Sequence, residues 1–128
     1  MYKQILAGLG ALTLATAATA GPADVNAQAF YADAVELVDK GMGALFDKRT
    51  KPRMAQLKAA GQLARDENEA GKARGKPIYC VSEAERKKGI DAKKAVRILG
   101  AVPENDRRKM TLAQAWRAGL IREYPCGS

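Results

Sequence analysis

The chain has 128 residues, 22 Lys and Arg against 14 Asp and Glu, two cysteines, one tryptophan and no histidine. Such a length allows one small domain, and the missing histidine removes the commonest general base, the commonest zinc ligand and every Ser/His or Cys/His nucleophile pair. Two cysteines without histidine are too few for a closed tetrahedral zinc site, so a composition of 47% apolar and 28% charged residues points to a basic globular module with no cofactor or metal and away from most enzymes.

Residues 1–20 read as a cleaved signal peptide. Lys3 supplies a positive start, Ile5 to Ala17 is an apolar run broken only by Gly and Thr, and Ala18-Thr19-Ala20 presents small residues before a cleavage point at Gly21. The run is about a dozen residues, short of the roughly 20 that a membrane span needs. No cysteine follows the cleavage point, which argues against a lipid anchor. The expected location is therefore the periplasm, or outside the cell, by a Sec-type route. Cleavage after residue 20 leaves 108 residues and removes one charged side chain, Lys3.

In an oxidising compartment, Cys80 and Cys126 are expected to pair. The loop they close contributes roughly 4 kcal/mol in the chain-entropy model. A redox-active pair is the alternative, but there is no C-x-x-C and no histidine to lower a thiol pKa.

The chain then divides by charge. Residues 21–70 carry seven basic and eight acidic side chains, and residues 71–128 carry fourteen and six. After a short N-terminal segment, 21–26, a single helical domain is predicted over 27–126. Phe30, Ala34, Leu37, Gly41 and Ala44 recur at helical spacing, widened by Val35, Val38, Met42 and Leu45, which predicts a first helix from Ala27 to Phe46. Asp24 or Asn26 can cap it. Gly41 and Gly43 weaken its last turns, through close helix approach or fraying. Thr50 is the candidate N-cap of a second helix, with Pro52 in its first turn. It runs to about Ala73, with Met54, Leu57, Ala60 or Gly61, and Ala64 on one face. Asp66-Glu67-Asn68-Glu69 reads as a solvated acidic face.

Gly71 to Pro77 is a basic turn. It lacks the G-x-x-x-x-G-K-[ST] phosphate-loop pattern and follows no strand. Ile78 to Val81 is a short extended piece, and Ser82-Glu83-Ala84-Glu85 matches a capping box opening a brief helix. Asp91 caps a helix over Ala92 to Leu99, stopped at Val102-Pro103. Thr111-Leu112-Ala113-Gln114 is a second capping box, opening a helix to about Arg122 with Leu112, Ala115, Trp116, Gly119 and Leu120 as its buried stripe. The fold class is all-α: a small bundle of four to five helices closed by one disulfide.

Catalytic candidates are poor. Asp33 with Glu36, Asp66 with Glu69, and Glu83 with Glu85 pair in sequence, but in polar stretches that read as solvated surface. Ser82 and Ser128 lie in no G-x-S-x-G elbow. The basic zone, from Lys72 to Lys109, would attract a polyanion. Its aromatic residues are sparse and no nucleic-acid motif matches, so nucleic acid is not the expected partner.

Pro77-Ile78-Tyr79-Cys80-Val81, the Ala95-Val96-Arg97-Ile98-Leu99 helix, Val102-Pro103, Arg107-Arg108, the Ala113-to-Leu120 helix and the closing Tyr124-Pro125-Cys126 together resemble the second half of the Tai-type (resistance-associated) immunity family of type VI secretion. The resemblance covers residues 77–126. Over 27–73 it weakens, because that family often has a cysteine beside a Gly-Tyr-rich helix and this chain has none. The resemblance implies an exported, non-catalytic protein that blocks a peptidoglycan amidase toxin by occluding its active site. An inhibitor needs a rigid surface rather than catalytic groups. Candidate contacts lie in two polar segments expected to be exposed loops: Ser82, Glu85, Arg86 and Lys88 in one, Glu104, Arg107 and Arg108 in the other. The alternative is an envelope-associated structural or polyanion-binding protein. Homodimerisation is compatible with the small core, although no heptad argues for it.

Overall fold

A computed structural model describes residues 20–127. The leader expected over 1–20, apart from Ala20, lies outside the described residues. Strand-like pairing among the described residues is limited to one isolated bridge, between Asn26 and Thr111. The rest is helix and turn: α1 (Ala27–Lys40), α2 (Thr50–Ala73), α3 (Glu83–Lys88), α4 (Ala92–Gly100), α5 (Glu104–Arg107) and α6 (Leu112–Glu123), with 3-10 segments at Pro22–Asp24 and Gly41–Phe46.

α6 is the hub, because its apolar residues recur on more than one face. Leu112, Ala115, Trp116, Gly119 and Leu120 are all buried, and the helix packs on α2, α4 and α1. Against α2 it meets Ala60 and Ala64, both buried, and small side chains there let the two axes approach. Against α4 the approach is closer still. A Cβ placed on Gly119 would stand 2.7 Å from both the carbonyl oxygen and Cγ2 of Ile98, so no larger residue fits without moving backbone. Phe30, Ile98, Leu99 and Tyr124 complete the core.

The caps explain the boundaries. Asn26, not Asp24, starts α1: its Oδ1 accepts from the Gln28 and Ala29 amides at 2.9 and 3.0 Å. Asp91 accepts from the Lys94 amide at 2.8 Å, and Thr111 and Gln114 form the reciprocal capping box. Ser82 accepts from the Glu85 amide, but the Glu85 side chain does not return the bond, since it is drawn to Lys94 and Lys88.

Three expectations are corrected. The first helix stops at Lys40, because Gly41 takes φ +55° and the chain tightens into a 3-10 segment. Nothing approaches within 4 Å of where a Gly41 Cβ would lie, so this glycine serves neither helix contact nor fraying but a break in direction. Thr50 is the first residue inside α2 rather than its cap. Its hydroxyl donates to the Ala44 carbonyl, and Asp47 accepts from the Arg49 amide at 2.9 Å instead. Within the supposedly solvated acidic face, Asn68 is buried, and its Oδ1 accepts from the Ile78 and Tyr79 amides at 2.9 and 3.1 Å. That pair of bonds pins the extended segment onto α2. The Cys80–Cys126 disulfide is formed, and the Cys80 amide donates to the Tyr124 carbonyl at 2.8 Å, tying the chain's end to the same segment.

Candidate functional site

The two predicted contact segments lie on different elements, α3 and α5. α3 is linked to α4 by Glu85, whose carboxylate meets Lys94 at 3.1 Å and Lys88 at 3.7 Å. The Lys94 hydrogen bond, chiefly, holds the Glu85 carboxyl below the usual glutamate range. Arg86 is exposed, and Ser82 uses its hydroxyl as a cap. The second segment is not a loop but helix α5, which packs against α1 and α6. There Glu104 pairs with Arg108 at 3.2 Å across one helical turn.

Arg107 is withdrawn from any partner. It is 6% exposed, and its guanidinium donates to the carbonyls of Leu99 and Val102 and to Gln28 Oε1 at 2.8 Å. The Tyr31 ring lies 4.0 Å from its central carbon. No carboxylate among the described residues pairs with it. The negative end of α4 and the ring face balance the charge instead. A residue read as a contact is thus an internal clamp.

The most exposed apolar surface arises where α1 breaks. Met42, Leu45 and Phe46 are 79%, 70% and 91% exposed. The break in direction at Gly41, with φ +55°, turns Met42 and Leu45 off the buried face that Phe30 and Leu37 occupy. An ion-pair network braces the base of this turn. Asp47 meets Lys40 at 2.7 Å and Arg49 at 3.0 Å, Arg49 reaches Asp33 at 3.0 Å and Glu36 at 2.7 Å, and Arg53 meets Asp33 at 2.7 Å. Arg49 above all, with Lys40, holds the Asp47 carboxyl far below its ordinary range, and Arg53 lowers Asp33 in the same way. Asp33 is therefore a half-buried joint between α1 and α2, whereas Glu36 pairs with Arg49 but stays exposed. The sequence signal for the turn was Gly41-Met42-Gly43, two glycines inside an apolar run.

A second feature is a groove of about 770 Å³ between α2 and the 79–92 segment, floored by Leu57, Tyr79, Val81 and Trp116. Tyr79, Trp116 and Leu120 are largely buried there, while Met54 and Ile90 stay exposed on its rim. Burial raises the pKa of the Tyr79 hydroxyl, and the positive charges of Arg65 and Arg86 oppose the shift.

Both cysteines are oxidised, and among the described residues no group of three or more His, Cys, Asp or Glu could hold a metal ion. No helix among them is long and apolar enough to cross a membrane. In comparisons with known proteins, no family model, curated protein or solved structure matches this chain.

Proposed function

We propose that the chain is an exported, periplasmic immunity-type protein, not an enzyme, that binds a cell-wall-degrading toxin of the peptidoglycan amidase class and occludes its active site. The observation that carries this reading is the braced apolar turn. Three large apolar side chains stand in water on six residues whose ends are held by ion pairs. A protruding, preorganised apolar element loses little conformational freedom when it enters a cleft, which is what tight inhibition requires. The order of residues 77–126 and its likeness to the Tai-type family supplies the class of target. The first half lacks the cysteine which that family often carries, so the likeness bears on residues 77–126 and the turn enters this reading on its geometry alone.

The test is protection. Cells that receive the amidase encoded beside this gene in their periplasm should survive when the chain is present. The triple variant M42S/L45S/F46S should lose protection while unfolding within about 0.5 kcal/mol of the parent, since exposed positions contribute little to stability. Undiminished protection by the variant, or the absence of any such neighbouring enzyme, overturns the reading. A polyanion-binding role rests on Lys87 and Lys93, exposed cations with no carboxylate partner among the described residues. Recovery of no single protein, with all retention lost at moderate salt, would favour that role instead.

A further inference from the structure

The groove between α2 and the 79–92 segment has a charge imbalance that the fold leaves open. Three carboxylates line it, and each is engaged: Glu69 by Lys72 at 3.1 Å, Glu85 by Lys94 and Lys88, and Asp91 by the amide of Lys94. Of its cations, Lys58, Arg65 and Arg86 have no carboxylate partner among the described residues. Exposed cations are commonplace alone. Here they stand around an apolar floor, with Met54 on one wall and Ile90 on another element of the rim exposed to water. The free charge of the groove is positive and its free surface is apolar.

We infer that this groove takes an extended acidic segment of a protein, setting apolar side chains on Met54, Leu57 and Val81 above the buried Trp116 and carboxylates against Arg65 and Arg86. Guanidinium groups hold carboxylates by paired hydrogen bonds, and the floor excludes water on one side of them, which strengthens those bonds. A small amphiphile buries most of its surface in an enclosed cavity. An open groove with apolar residues on separate rim elements suits a longer occupant that leaves one face in solvent. The turn at 41–46 is not part of this groove, so the site is independent of the proposed inhibitory contact.

The protein with its disulfide formed would be immobilised and panned against a random peptide library displayed on phage. Enriched peptides should combine acidic with large apolar residues. Trp116 is the chain's sole tryptophan and lies in the groove, so a tryptophan-free enriched peptide should shift its emission on titration, and affinity should fall as salt rises. The R65E/R86E variant, which removes no internal hydrogen bond, should weaken binding about tenfold or more. Lys109→Glu, the same kind of charge reversal outside the groove, should change it less than about twofold. Enrichment of no peptide, enrichment of non-acidic ones, or equal binding by R65E/R86E overturns the inference. A shift of Trp116 by decanoate with none by any peptide does so too, and assigns the groove to a small amphiphile. Loss of the groove would leave protection through the turn intact, and loss of protection would leave peptide binding intact.

Discussion

The two ends of this molecule are held in opposite ways. Around α4 and α6 the apolar residues are inside: Ile98, Leu99 and Leu112 are fully buried, and Arg107, the one buried cation among the described residues, faces carbonyls. Around the α1–α2 turn the apolar residues are outside, and carboxylate–guanidinium pairs do the holding. Burial is non-directional and favours tight packing. Ion pairs on a half-exposed surface are weak individually, but a network of them can fix a backbone direction without covering its side chains. The contrast places the tightest packing at the α4–α6 crossing and an available apolar surface at the α1–α2 turn.

That contrast can be broken by experiment, most strongly at the α4–α6 crossing. Gly119→Val should cost about 3 kcal/mol, read as a lowered urea midpoint by Trp116 fluorescence, because the new side chain meets Ile98 backbone. A loss below about 1 kcal/mol would show that the crossing is looser than the 2.7 Å approach implies. Next comes Arg107→Met, which keeps the stem and removes the clamp. About 2 kcal/mol should be lost as carbonyls at the end of α4 lose their donor, and Arg107→Lys should recover only part, lacking the planar fork. Full recovery would reduce the clamp to simple charge.

The smallest effect belongs to the turn. Asp33 and Asp47 have lower pKa values folded than unfolded, where aspartate titrates near about 3.9. Their contribution is therefore fully present above about pH 5 and falls away as the pH drops through the folded values. The D33N/D47N variant should be modestly less stable than the parent at neutral pH, and the gap should narrow as the medium is acidified below about pH 4. A gap that widens toward acid would refute the network as the brace.

Much of the bundle was legible in the residues. The stripe on α6, the alanine face of α2, the caps Asn26, Asp91 and Thr111 and the cysteine pair all depend on local spacing or on simple counting. The end of α1 was not, because Met42 and Leu45 continue an apolar period that only the Gly41 backbone interrupts. The groove was not legible. Glu85 and Arg86 do line the groove, but Arg65 and Trp116, distant in sequence, complete it. Arg107 was misplaced because its partners Gln28 and Tyr31 stand on another helix.

By itself the sequence determined that this protein is helical, stapled and without histidine chemistry, since these follow from period, composition and cysteine count. Which apolar residues meet water, and which charges are already satisfied, was decided only in the tertiary structure. Both depend on neighbours that are remote in the chain, and folding brings them within a few ångströms.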